Sequence, residues 1–297
     1  MRTIVVRRSS GSVLATSIAI TLLVTTAMVE VFLAGDAARR VLEASGGWIN
    51  DNLVFFAVLG AVVIGGVLRG MGGLRPEDLG LEWRQLRQGV WTLVGLWVAI
   101  QLLAATASLA TGRGVTLNGI WAQHGPGTVL GFALAMVLGT ALFEEVYFRG
   151  NLLPQLALRM GGVLHSDRGR LAAAVLACAV IFALWHLPTL LLNRSLAGAA
   201  LAGSLANMFI GGVLLSLVYL RTANLFVAIA VHALVNAPTL LPSSPLPGSL
   251  VAGILGLVLL VAWPVFVGRP LRTPLARFAG PGTGARGEGR PPVSRPR

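Results

Sequence analysis

Lysine is absent from the 297-residue sequence, and charged residues of any kind make up only 11% of it. Soluble domains carry about a quarter charged residues, so a water-exposed globular fold is excluded for most of this chain. The single cysteine, Cys178, excludes an intramolecular disulfide. The net charge of +12 is the difference between 23 arginines and 11 acidic residues. These arginines lie between and beyond apolar segments rather than on one folded face, which argues against a nucleic-acid partner.

The sequence is instead rich in long apolar segments, with 55% hydrophobic residues and a mean hydropathy of +0.79. Backbone polar groups in hydrocarbon must bond within their own segment, so each apolar segment should be a helix. The first segment is too long for a signal peptide and is predicted to be an uncleaved span. We therefore expect an all-α, polytopic membrane bundle of about eight transmembrane helices, with the bilayer of the cell membrane as its partner. The predicted spans are residues 12–34, 53–71, 89–111, 128–152, 171–192, 197–220, 223–242 and 249–268.

The arginine distribution predicts the orientation of the chain. If the N-terminus lies in the cytoplasm, 19 of the 23 arginines fall on the cytoplasmic side and four fall outside. This asymmetry predicts an N-in, C-in topology. The predicted organisation is a basic cytoplasmic N-terminus (1–11), N-terminal spans (12–127) with an interfacial helix near 72–88, a core (128–242), a last span (243–268) and a disordered basic tail (269–297).

Four ionisable residues lie deep inside apolar spans, where such groups are costly and tend to mark function. They are Glu144, Glu145, His186 and His232. In the segment FEEVYFR, Glu145 and Arg149 are four residues apart and can pair on one helix face, whereas Glu144 is rotated by about 100°. We therefore expect Arg149 to pair with Glu145 and Glu144 to be free for acid–base chemistry. The alternative is an ordinary wet helix boundary at Glu144.

The two histidines each have a partner at helical spacing. Phe182 and His186 are four residues apart, and Pro188 removes a hydrogen-bond donor and should kink the helix beside His186. His232 and Asn236 are also four residues apart, so two hydrogen-bonding side chains share one face. A lone histidine such as His186 is more often a hydrogen bond between helices than a catalyst, and His232 with Asn236 could equally be such a contact. The sixth span has small residues at every fourth position, a stripe that predicts close helix packing: Ala199, Gly203, Asn207 and Gly211.

Together these residues resemble four motifs of the CPBP family of intramembrane proteases, which includes Rce1-like CAAX prenyl endopeptidases and Abi-type bacteriocin-immunity proteins. The motifs occur in the family's order within residues 128–242, and every polar position is present. They are Glu144-Glu145-x-x-x-Arg149, Phe182-x-x-x-His186, Phe209-x-x-Gly212 and His232-x-x-x-Asn236. The resemblance implies an intramembrane endopeptidase that acts on a protein or peptide in or at the membrane. It also implies a CPBP-like catalytic core whose cavity opens to the cytoplasm.

The resemblance further implies roles for these side chains. Glu144 and His186 would activate a water molecule, and His232 and Asn236 would stabilise the oxyanion. Donors fixed in a low-dielectric cavity are effective for this, at roughly 3–4 kcal/mol each. These residues can meet only if the fourth span continues past Arg149 to about residue 153 and the fifth span starts later than residue 171.

Two further points stay open from the sequence. By resemblance, Glu145 and Arg149 would orient the helix that carries Glu144. Glu144, His186 and His232 also form the two-histidine, one-carboxylate ligand set of a catalytic metal such as zinc. A metal-free and a metal-dependent mechanism are both compatible with the sequence. The alternative functions are a non-catalytic immunity or scaffold protein, which the intact polar motifs disfavour, and a transporter, which the absence of an internal repeat disfavours.

Overall fold

Apolar helices account for most of the computed structural model, which describes residues 3–271 and 275–280. Within those residues, seven helices are long and apolar enough to cross a membrane. An eighth apolar helix has 12 residues and is too short to cross a hydrocarbon layer of about 30 Å alone. The all-α membrane bundle is confirmed, but the span predicted at 223–242 is too long. The helices are α1 (Gly11–Leu33), α2 (Asp36–Ala44), α3 (Asp51–Met71), α4 (Trp83–Ala110), α5 (Gly119–Gly162), α6 (Asp167–Asn193), α7 (Gly198–Thr222), α8 (Leu225–Asn236) and α9 (Gly248–Phe266).

The connections between helices fall on two opposite faces. The terminal face holds the residues before α1, the α3–α4, α5–α6 and α7–α8 connections, and the residues after α9. The far face holds the α1–α3, α4–α5, α6–α7 and α8–α9 connections. Strands β1 (Thr3–Val5) and β2 (Arg277–Ala279) pair in parallel and join both ends of the chain on the terminal face. The predicted disordered tail is therefore wrong for residues 275–280; its residues 272–274 and 281–297 lie outside the described residues.

The segment predicted as an interfacial helix near residues 72–88 is not one helix. It contains a short 3₁₀ turn at Glu77–Leu79, and α4 then begins at Trp83. The turn lies against α5, where Gly150 is so close to the Leu79 carbonyl that a β-carbon would collide with it. Leu79 is buried in this position, so its apolar side chain packs against protein.

Helix α5 carries the glutamate pair. It bends near its start, where Gly125 adopts a φ of 75°, a conformation that glycine tolerates. It then continues past Arg149 to Gly162, with a π-helical stretch at Glu145–Leu152. The predicted continuation past Arg149 is thus confirmed. The predicted late start of the following helix is wrong, because α6 begins at Asp167.

Helices α6 and α7 approach closely at Gly212, where a β-carbon would lie 3.1 Å from Ala179. The small-residue stripe predicted to make this contact does not make it. No atom lies within 4 Å of a β-carbon built on Gly203 or Gly211. Asn207 and Gly211 instead border an open space between α7 and α9. The contact therefore uses a neighbouring face of α7, and the packing role predicted for the stripe is wrong.

Helix α8 is short because protein surrounds it. It packs against α4, α5, α7 and α9, and all but its last two residues are buried. Gly89 allows α4 to approach so closely that a β-carbon there would collide with the Phe226 backbone. The Asn224 side chain caps the first turn by accepting from the Phe226 N–H. A helix with such partners can begin and end inside the bundle, since no backbone group faces lipid unpaired.

Candidate active site

A buried ion pair lies at the start of the π-helical stretch of α5. Arg149 Nη1 donates to Glu145 Oε1 at 2.8 Å, and both side chains are fully buried. Arg149 Nη2 donates to the Gly212 carbonyl at 3.1 Å. The guanidinium carbon lies 4.8 Å from the centre of the Phe182 ring. The arginine thereby connects α5, α6 and α7 and receives the compensation that a buried charge requires.

His232 of α8 lies between the two glutamates. Its Nδ1 is 2.7 Å from Glu145 Oε1, and its Nε2 is 3.6 Å from Glu144 Oε2. Glu145 already accepts from Arg149, so it is the acceptor here too, and Nδ1 carries the proton. This contact fixes the orientation and the tautomer of the ring and turns Nε2 toward Glu144. Glu145 therefore has a second partner that its spacing from Arg149 does not reveal.

His186 lies where α6 changes its winding. The regular helix ends at Trp185, and a π-helical turn follows Pro188 at Thr189–Asn193. His186 Nδ1 is 2.8 Å from the Phe182 carbonyl oxygen. A carbonyl can only accept, so Nδ1 donates this bond and Nε2 keeps its lone pair. The irregularity predicted from Pro188 is present, and the ring next to it is half-buried at a cavity wall.

One cavity of about 860 Å³ brings the predicted residues together. Its lining includes four of them: Glu144, His186, His232 and Asn236. Glu144 is only 2% exposed, whereas Asn236 at the end of α8 is open to the cavity and its mouth. The Glu145–Arg149 pair lies behind this wall. The six predicted site residues thus separate into four that border the cavity and two that support it from the core.

The lining of the cavity has two parts. Along α7 and α9, the cavity is bordered by apolar residues that are about half exposed: Ile210, Leu250, Ile254 and Leu257. At the far face it has a polar rim: Asp51, Asn52, Asn193, Arg194 and Ser249. Within residues 3–271 and 275–280, none of the terminal-face connections lines it. The polar rim of the cavity therefore lies at the face opposite to the two termini.

Glu144, His186 and His232 are the predicted ligands of a possible metal ion. Glu144 and His232 approach each other to 3.6 Å. The described part of the chain nevertheless contains no group of three or more His, Cys, Asp or Glu side chains that could hold a metal ion. A catalytic zinc binds three protein ligands at roughly 2.0–2.2 Å, and the metal-dependent mechanism stays a prediction for these three residues.

Sequence reasoning missed some polar residues of the cavity. Thr140 lies four residues before Glu144 on α5, and its buried hydroxyl has no hydrogen-bond partner among the described residues. Its spacing from Glu144 is the signal that could have revealed it. Asn52 and Asn193 at the rim had no such signal. In the sequence they are indistinguishable from ordinary residues at helix ends.

Residues 126–238 match the family described as type II CAAX prenyl endopeptidase Rce1-like. No curated protein and no solved structure that was compared matches the chain. The matched region begins near the bend of α5 and ends just after α8, so it contains all four motifs and every residue of the predicted site. The family implies an endopeptidase, and the apolar helices make the chain a multi-pass membrane protein. The similarity of the chain to the Rce1-like family thus covers residues 126–238, which include the whole predicted site.

Proposed function

We propose that the protein is an intramembrane endopeptidase that hydrolyses peptide bonds of membrane-associated polypeptides with a water molecule activated by Glu144. The convergence of one carboxylate, two imidazoles and one amide on a single cavity carries this proposal. Peptide hydrolysis needs a base for the water, a donor for the oxyanion and an acid for the leaving amine. Glu144, His186, His232 and Asn236 can supply all three.

In the proposed reaction, the water lies between the Glu144 carboxylate and Nε2 of His186. Glu144 takes one proton as the water oxygen bonds to the peptide carbonyl carbon. Nε2 of His232 lies 3.6 Å from Glu144, so a shift of less than about 1 Å brings the two within proton-transfer distance. Glu144 passes the proton to Nε2 of His232. His232 then donates it to the peptide nitrogen as the C–N bond breaks. The products are a carboxyl group and an amine, so atoms and charge balance.

Asn236 and His232 stabilise the tetrahedral intermediate in this scheme. The Asn236 amide is a neutral donor at the mouth of the cavity, and His232 donates through Nε2 once it holds the transferred proton. A donor fixed beforehand at a developing oxyanion contributes roughly 3–4 kcal/mol in a site shielded from water. The two donors share one face of α8, because they are four residues apart on a regular helix.

Glu145 and Arg149 are positioning residues in this proposal. Neither borders the cavity, so neither touches the substrate. Glu145 holds Nδ1 of His232 at 2.7 Å, and Arg149 holds Glu145 at 2.8 Å. This chain of contacts determines which way Nε2 of His232 points. Its loss should reduce turnover without removing the group that activates water.

The substrate class follows from the apolar gap between α7 and α9. Apolar side chains around the gap are about half exposed and face the bilayer. A membrane span or a lipid anchor can therefore occupy the gap, because its own surface is apolar and leaves no polar group unpaired there. A peptide segment next to that anchor can then reach the polar part of the cavity. The proposed substrates are therefore membrane-embedded or lipidated proteins and peptides, and a prenyl group is one anchor among several that fit.

The test compares the wild-type protein with Glu144→Gln in phospholipid vesicles supplied with a membrane-protein extract. New N-termini are identified and quantified by mass spectrometry. We expect Glu144→Gln to slow their appearance roughly 10²–10⁴-fold, as expected for loss of a general base. Glu30→Gln is the matched control, because Glu30 is exposed on α1 and does not line the cavity. Full cleavage by Glu144→Gln would rule out the assigned role, and inhibition by EDTA would favour a metal-dependent reaction.

A further inference from the structure

We propose that the active-site cavity opens to the extracytoplasmic side of the membrane, so that its substrates are polypeptide segments presented from that side. This rests on the endopeptidase function proposed above and adds the direction from which the substrate comes. Three features carry it: the position of the polar rim, the closure of the terminal face and the distribution of arginines.

The polar rim of the cavity consists of far-face residues. Asp51 and Asn52 begin α3, and Asn193 and Arg194 lie where α6 ends. Ser249 lies in the first turn of α9. Water needs polar partners to occupy a membrane-embedded site, and within the described residues this rim supplies them at one face only. Water and an extended peptide therefore reach Glu144 from the far face.

The position of His186 along α6 gives the depth of the site. His186 lies 19 residues after Asp167 and seven residues before Asn193. At about 1.5 Å per residue, these separations are roughly 28 Å and 10 Å. An extended peptide advances about 3.3 Å per residue. Three or four residues of substrate therefore span the distance from Asn193 at the far face to His186. The substrate is thus a segment directly next to a span or lipid anchor.

The terminal face is closed beneath the site. Gln155 of α5 accepts from the Ser9 N–H at 3.0 Å and donates to the Arg7 carbonyl at 2.8 Å. Arg159 donates to the Ser9 carbonyl at 2.7 Å. The 3₁₀ turn Glu77–Leu79 fills the next position along α5. These contacts join the N-terminal segment, the α3–α4 connection and α5 into a closed wall.

The arginines assign this closed face to the cytoplasm. Arg149 belongs to neither face, because it is buried in the core. Four arginines lie at the far face: Arg39, Arg40, Arg113 and Arg194. The other eighteen belong to terminal-face segments, to helix turns next to them or to the sequence after α9. Cytoplasmic segments of membrane proteins are the ones enriched in arginine, so the far face and the cavity mouth lie outside the cytoplasm.

Cysteine labelling in intact cells tests the orientation. Cys178 is buried and is the only cysteine, so the unmodified chain serves as the unlabelled background. Ser249→Cys probes the rim, and Val163→Cys probes the terminal face at a position that is 78% exposed. With a membrane-impermeant maleimide, we expect Ser249→Cys to react in intact cells and Val163→Cys to react only after permeabilisation. The opposite pattern would overturn the inference whether or not the protein is active.

A second readout separates this inference from the proposed function. New N-termini are compared between cells that express the wild-type protein and cells that express Glu144→Gln. Glu144-dependent cleavage in extracytoplasmic segments supports both proposals. Glu144-dependent cleavage in cytoplasmic segments supports the peptidase and overturns its orientation. The absence of any Glu144-dependent cleavage, with the orientation upheld by labelling, defeats the proposed function and the substrate class with it.

Discussion

Removing the charge of Arg149 should destabilise the protein more than removing the whole buried ion pair. In Arg149→Met, the buried carboxylate of Glu145 loses its cation and the Gly212 carbonyl loses a donor. Breaking a buried pair from one side costs about 3–5 kcal/mol. The guanidinium also leaves the face of the Phe182 ring, which adds about 1 kcal/mol. We therefore expect the free energy of unfolding to fall by about 4–6 kcal/mol.

The double variant Glu145→Leu/Arg149→Met should recover most of this stability. Apolar residues of similar size often replace a buried ion pair without loss, because neither charge is then left uncompensated. Activity should stay low in the same protein, since Nδ1 of His232 has lost its acceptor. Loss of such an orienting partner typically costs roughly 10–100-fold in activity. Stability and turnover should thus separate in the double variant.

Unfolding is followed by tryptophan fluorescence during titration of mixed micelles with SDS, and turnover is measured on the same preparations. Arg39→Met is the control: Arg39 pairs with Asp36 and Glu43 on the exposed surface of α2, so its loss should leave the unfolding midpoint unchanged. A double variant as unstable as Arg149→Met would refute the ion-pair reasoning. A double variant with wild-type turnover would refute the positioning role of Glu145.

Two further substitutions and probes test the packing of the bundle. Gly212→Ala should lower stability by about 1–3 kcal/mol, because its β-carbon would lie 3.1 Å from Ala179. Gly203→Ala on the same helix meets no atom within 4 Å and should leave stability unchanged or slightly raised; thermal unfolding in detergent compares the two. Cys178 is buried with its thiol directed at the Phe148 carbonyl, so a small maleimide should react with it only after unfolding in SDS. Rapid labelling of Cys178 in the native protein would contradict this packing.

Features that depend on local helix geometry were predictable from the sequence. Residues four apart on a helix share a face wherever the helix lies, so the pairing of Glu145 with Arg149 followed from spacing alone. The helical segments were also predictable from the absence of charge. Backbone N–H and C=O groups in hydrocarbon must bond within their own segment, which a helix achieves. The continuation of α5 past Arg149 was predicted from a depth requirement, but the late start of the next helix, predicted from the same requirement, is wrong because α6 begins at Asp167.

Features that depend on contacts between distant segments were not predictable in this way. The contact of His232 with Glu145 joins residues 87 positions apart, and its existence depends on where α8 enters the bundle. The pairing of β1 with β2 joins the two ends of the chain in a tail whose composition indicates disorder. The small-residue stripe of α7 has the composition of a packing face but borders the cavity, since composition does not tell which neighbour is present.

In the proposed reaction, the adjacent glutamates differ because the enzyme needs two kinds of carboxylate. A general base must change its protonation during each turnover, so it has to lie where water and substrate can reach it, as Glu144 does at the cavity wall. A carboxylate that orients a histidine must instead keep one charge state, which in a low-dielectric core requires a permanent cation such as Arg149. One residue along a helix turns the side chain by about 100°, enough to place one carboxylate at the cavity and the other in the core. In that reaction, His232 contacts Glu145 and faces Glu144, so the charge of Glu145 determines the orientation in which His232 meets Glu144.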